Sequence, residues 1–188
     1  HTRGHHASVE LTREVLFWLE AHGRRVFNGL RAFEIEMSKL RQDLVLRSEG
    51  IRTPKTILAI GRAKIIEAAE SMDGPFITKH NQGGKGLGIQ LFGTVDQLAV
   101  YLDSGDFDPG PDGKIILQQY IEPAESRITR VELVGGKFLF AMHSSTDEGF
   151  ELCPSHACQL PTSGSVCPAE ALASKFSVAD LTADRSEE

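Results

Sequence analysis

Between Pro75 and Phe92 the chain reads PFITKHNQGGKGLGIQLF, where two lysines, Lys79 and Lys85, accompany Gly83, Gly84, Gly86 and Gly88. Glycine lets backbone N–H groups turn towards an anion at positive φ and approach it with no Cβ in the way, while the lysines supply positive charge nearby. That combination is suited to handling phosphate. It is not a Walker A loop, because no Gly-Lys-Ser/Thr occurs and an apolar strand, not a helix, follows; the same order excludes a dinucleotide fingerprint. The plain alternative is a hairpin tip that binds nothing.

A second group lies near the end of the chain, where Cys153, His156, Cys158 and Cys167 give C-x2-H-x-C-x8-C. Zinc accepts such a set tetrahedrally, and a metal would order a turn-rich segment. Buried thiols are the competing reading, and an iron–sulfur cluster ranks below zinc. A nucleophilic cysteine would need a base, for which His143 and His156 are the candidates. His1, His5 and His6 could also ligate a metal, although a frayed terminus accounts for them.

The elements that must position these residues follow from periodicity. A helix over 8–22 presents Leu11, Val15, Trp18 and Leu19, starts at Ser8 and stops at Gly23. RRVFNG then suggests a short strand and turn. A helix from Arg31 to Glu49 carries Phe33, Met37, Leu40 and Leu44 on one face, with Lys39 near its middle and Gly50 and Pro54 closing it. A strand at 55–60, a helix at 62–72 and the glycine-rich hairpin come next. Thr94 and Gln97 form a capping box for a helix through Leu98, Tyr101 and Leu102. The stretch 104–113 is a loop, KIILQQYIEP at 114–123 a strand, and RITRVELVGGKFLFAMHSS two strands joined at Gly135-Gly136. EGFELCP adds a short strand, and the remainder beyond Cys158 reads as irregular.

This order implies an α+β fold around two small sheets. A chain of 188 residues with 40% hydrophobic and 24% charged content can bury a real core. Its net charge of -6 provides no basic footprint for nucleic acid. No apolar run suggests a membrane span, and three cysteines do not suggest a disulfide framework, so a cytoplasmic location is expected. The start at His1 and the end in ADLTADRSEE suggest a fragment.

With these motifs in this order, the chain resembles the ATP-grasp superfamily, most closely its RimK-type glutamate ligase and glutathione synthetase-like branch. The resemblance covers roughly 33–153 and rests on SKLRQDLVLRSEGIRTPKT, PFITKHNQGGKGLGIQLF, ILQQYIEP and RITRVELVGGKFLFAM. It implies an ATP-grasp fold of two α+β subdomains enclosing ATP and incomplete at both ends. Residues 1–30 would be a remnant of a preceding α/β domain, 31–123 the first subdomain, and 124–188 part of the second.

The resemblance also implies roles. Lys39 and Lys79 would contact the ATP phosphates, and Gly83, Gly84, Lys85, Gly86 and Gly88 would close over them. Gln119 would receive the adenine amino group, with backbone groups of Tyr120 and Ile121 completing that edge; strand alternation lets only one of Gln118 and Gln119 face a pocket. Glu122, or else Glu125, would hold the ribose. Arg130 would stabilise the transferred phosphoryl group, unless it is an ordinary exposed strand residue. The implied chemistry is ATP-dependent ligation of a carboxylate to an amine through an acyl phosphate, with Mg2+ as cofactor. The usual Glu-x-Asn or Asp-x-Asn triplet is missing after Arg130, and Glu132 and Glu151 are poor substitutes. A non-catalytic nucleotide- or metal-binding module is therefore the alternative function.

Overall fold

The computed structural model describes residues 6–84, 88–123, 125–145 and 176–178. Clustering of contacts divides the chain into two compact units, His1–Ile121 and Glu122–Glu188.

The first unit begins with three short helices, α1 (His6–Ala21), α2 (Leu30–Glu36) and α3 (Lys39–Ser48). At the end of α1, Gly23 at φ 65° lets its own N–H reach Glu20 O and that of Arg24 reach Leu19 O, the paired bonds that finish a helix. No strand follows: residues 24–29 form an irregular connection with Asn28 in the left-handed region, and Val26 and Phe27 find no pairing partner there. The buried side of α1 also differs from expectation. Val9 and Leu16 pack with Phe33 and Met37, whereas Leu11, Val15 and Trp18 are exposed.

The single helix expected over 31–49 is two helices. Ser38 adopts an extended conformation at φ −143° and its hydroxyl accepts from Arg41 N, so it caps a new helix instead of continuing the old one. The break resets the helical phase. Asp43 turns inward at 6% exposure, and Leu44, expected in the core, is 55% exposed.

Strands β1 (Thr56–Ala59), β2 (Phe76–His80), β3 (Gln90–Phe92) and β4 (Ile115–Gln119) form an antiparallel sheet in the order β1-β4-β2-β3. Helices α4 (Arg62–Glu70) and α5 (Val95–Asp103) cover one face of it. The core there joins Ala59, Phe76, Phe92, Ile115 and Leu117 of the strands to Ile65, Ala68 and Ala69 of α4 and Leu98 of α5. Full burial of each large side chain in this set contributes about 2–3 kcal/mol. The cap of α5 is as expected: Thr94 Oγ1 accepts from Gln97 N, and the Gln97 amide oxygen accepts from Gly93 N at 2.8 Å.

In the second unit, β5 (Arg127–Val134), β6 (Lys137–Ser145) and β7 (Phe176–Val178) make an antiparallel sheet in that order. Gly135 and Gly136, at φ 58° and 75°, form the two-residue turn between β5 and β6 that the sequence predicts. β7 corrects the expectation of an irregular tail, because Phe176–Val178 pairs with Met142, His143 and Ser144. The strand expected at EGFELCP lies outside the described residues, as do Glu151, Cys153, His156, Cys158 and Cys167.

Candidate functional site

The site is built on the sheet face turned away from α4 and α5. Strand alternation along β2 puts Phe76, Thr78 and His80 on one side and Ile77 and Lys79 on the other, and Phe76 is the member buried in the core. On the Lys79 side, the ammonium group donates to Gln118 Oε1 at 2.7 Å. The Gln118 amide nitrogen in turn donates to Thr56 Oγ1 at 2.8 Å, so three strands fix the position of one lysine. Burial pushes the Lys79 ammonium below the ordinary lysine range, and the negative charge of Asp43 acts in the opposite sense.

Lys39 reaches the glycine-rich stretch from another direction. The helix break makes it the first residue of α3, not a mid-helix residue, and its backbone N–H donates to Asn81 O at 3.2 Å. Its ammonium donates to the carbonyl of Gly83 at 3.2 Å. Gly83 has φ 145° and Gly88 φ 73°, both positive, so the chain enters and leaves the glycine run in conformations that disfavour other residues. Lys85 and Gly86, between those two ends, lie outside the described residues.

Three residues that the sequence reading did not single out hold this arrangement together. Asn81 is 4% exposed. Its side-chain oxygen accepts from Ser38 Oγ at 3.1 Å and Leu40 N at 3.2 Å, while its amide nitrogen donates to Asp112 Oδ2 at 2.9 Å. His80 lies against two glycines, and its Nε2 is 2.9 Å from the carbonyl oxygen of Asp108. A Cβ on Gly110 would come within 2.7 Å of His80 Cγ, and one on Gly88 within 3.0 Å of His80 Cε1. Asp43 is the third. A sequence signal existed for part of this: Ser38 is a strong N-cap residue, and reading it as a cap would have moved Lys39 to a helix start.

The adenine-side expectations fare differently. Gln118, not Gln119, shares the face of Lys79. Gln119 sits on the opposite side of the strand, lining a groove of about 300 Å³ with Lys55, Met72, Asp73, Gly74, Pro75 and Tyr120. The N–H of Tyr120 is already donated to Pro75 O at 3.0 Å. Ile121 and Glu122 are exposed beyond the strand end. In the second unit Arg130 is bonded to Glu132 at 3.3 Å, Glu125 is paired with Arg127, and His143 Nδ1 lies 3.1 Å from Thr129 Oγ1. Among the described residues no group of three His, Cys, Asp or Glu could hold a metal ion, so neither magnesium nor zinc finds ligands there. No described helix is long and apolar enough to cross a membrane.

A helix-backed antiparallel sheet carrying a lysine and a glycine-rich hairpin defines a class, and comparison with solved structures gives it a name: this is an ATP-grasp fold. A RimK domain ATP-grasp protein from Sphaerobacter thermophilus superposes with a TM-score of 0.55 at 16% identity, over 86% of this chain and 57% of that one. A D-alanine–D-alanine ligase from Bacillus anthracis gives 0.54 at 25% identity, over 69% and 41%. Residues 37–152 match the RimK-like ATP-grasp domain, and the chain belongs to that family. Among sequence relatives, a probable alpha-L-glutamate ligase from Vibrio atlanticus is 29% identical over 131 residues. That match takes in 69% of this chain and 42% of the relative, so the chain spans less than half the length of such relatives.

Proposed function

We propose that this chain binds ATP and serves the ATP-dependent joining of a carboxylate to an amine. The observation that carries the reading is Lys79, a partly buried lysine held by Gln118 four residues before the first glycine of the run. The names of the relatives, alpha-L-glutamate ligase and D-alanine–D-alanine ligase, support the ligase class. In this reading 31–123 is the first ATP-grasp subdomain, 124–188 part of the second, and 1–30 a remnant of a preceding domain.

Lys79 and Lys39 would contact the phosphates, because a triphosphate needs fixed cations around it. The Lys39 ammonium, now on the Gly83 carbonyl, would exchange that neutral acceptor for a charged one, which makes a stronger hydrogen bond. Gly83, Gly84 and Gly88, with Lys85 and Gly86 between them, would approach the phosphates through backbone N–H groups. Gln118 would hold the Lys79 ammonium in position. Arg130 would stabilise the phosphoryl group as it moves to the carboxylate, leaving Glu132 to do so. Tyr120, Ile121 and Glu122 would lie at the adenine and ribose end. Attack of the amine on the acyl phosphate then forms the amide and releases phosphate. Magnesium serves this family's phosphate chemistry, but its ligands are not among the described residues, and no step is assigned through it.

Calorimetric titration with Mg-ATP tests the reading. The unaltered chain is expected to bind, and Lys79→Ala to bind about 100-fold more weakly, the loss of one charge-assisted contact. Equal affinity in both would overturn the placement. Binding without any acyl phosphate trapped by hydroxylamine, for every acid offered to a protein of the relatives' length, would instead favour a non-catalytic nucleotide-binding module.

A further inference from the structure

Asp43 is the one acidic side chain on α3, and the break at Ser38 turns it towards the interior, where only 7% of the side chain is exposed. Its Oδ2 meets Arg47 Nε at 2.9 Å, but Oδ1 accepts no hydrogen bond among the described residues. An ionised carboxylate in such surroundings calls for more positive charge than one half-exposed arginine supplies.

The neighbouring elements restrict where that charge comes from. Strands β1, β3 and β4 carry no ionisable side chain, and α3 packs against β1. On α3 itself, Arg41 is paired with Glu34 and Lys39 reaches Gly83. On β2, His80 lies on the opposite face beside Asp108. Lys79 remains, held by neutral Gln118, and Asp43 is the acid whose field it feels.

We infer that Asp43 is a positioning residue that keeps the Lys79 ammonium charged on a face where burial favours its neutral form, so that the lysine is ready for phosphate. The inference rests on the reading that Lys79 receives the nucleotide. In the position of a core leucine or methionine, this acid would otherwise have no reason to be buried.

The test needs no nucleotide at first. Trace acetylation of the free chain across pH, read at Lys79 by mass spectrometry, gives the midpoint at which that amine becomes reactive, with exposed Lys64 as internal reference. In both Asp43→Asn and Asp43→Leu the Lys79 midpoint is expected to move down by about one pH unit while Lys64 stays in place. Mg-ATP affinity, followed over the same range, should then fall at a pH about one unit lower than in the parent and remain intact near pH 6. The leucine variant removes the charge without leaving an amide to satisfy, so it carries the test if the asparagine variant folds poorly. An unmoved Lys79 midpoint overturns the inference, as does an equal loss of affinity at every pH, which marks a merely structural role. A shifted midpoint in a chain that binds no Mg-ATP would uphold the coupling and remove the function proposed above.

Discussion

Asn81 joins the start of α3, the end of β2 and the loop before β4, accepting from Ser38 and Leu40 and donating to Asp112. Replacing it with alanine leaves the Asp112 carboxylate, itself almost wholly buried, short of one donor and the Leu40 amide without its acceptor. Each orphaned buried group costs about 1–3 kcal/mol, so Asn81→Ala is expected to lower stability by about 3 kcal/mol in urea unfolding. Asn81→Asp keeps the acceptor but sets a second carboxylate beside Asp112, and its stability should fall further as pH rises through the carboxylate range. The same substitution loosens the backbone that places Lys39 under Gly83, so Mg-ATP affinity measured by calorimetry should drop in the alanine variant even at temperatures where it is fully folded.

The helices of the first unit are clipped together by Glu34, which accepts from Arg13 of α1 and Arg41 of α3. Burial alone would raise the Glu34 carboxyl, but hydrogen bonds and charge from the two arginines outweigh it and hold it below the ordinary value. The folded carboxylate is therefore the harder one to protonate. Its contribution is fully present above the unfolded titration range near pH 4.5 and disappears as pH falls through the depressed folded value. Glu34→Gln should cost about 1 kcal/mol at pH 7, and thermal melts of the two proteins should converge in acid. At this scale the sequence was legible wherever a local signal acts alone. Gly23 and Gly50 ended their helices, Thr94 capped α5, and Gly135-Gly136 turned the hairpin. It was misleading where tertiary contact decides. Leu40 and Leu44 fit an uninterrupted apolar face, yet capping by Ser38 and Asn81 breaks the helix and exchanges Leu44 for Asp43. Gln118 and Gln119 are alike in sequence, and only the pairing of β4 with β1 and β2 shows which meets Lys79. His80 gave no sign at all, because its partners Gly88 and Gly110 are distant or featureless in the chain.

The molecule as a whole is asymmetric in how its two units are held. The main core, from Ala59 to Leu117, belongs entirely to the first unit. The second unit's hairpin leaves Val131, Leu133, Phe138 and Leu139 at least half exposed. A chain ending at Ile121 is therefore expected to unfold cooperatively by itself, with a urea midpoint close to that of the first transition of the longer chain. Leu98→Ala, which empties a fully buried site in that core, should lower the midpoint in both by the equivalent of about 3 kcal/mol. A fragment that melts gradually would show that the division at residue 121 does not mark an independent folding unit.

The ring of His80, resting on Gly88 and Gly110, ties the histories of these positions together. While histidine occupies position 80, an alanine at 110 meets both a 2.7 Å contact and a left-handed backbone at φ 74°. Once position 80 is alanine, only the backbone penalty of about 1 kcal/mol remains. Gly110→Ala should thus be far less damaging in a His80→Ala background than alone, and a sequence drifting away from glycine at 110 must first have given up its histidine.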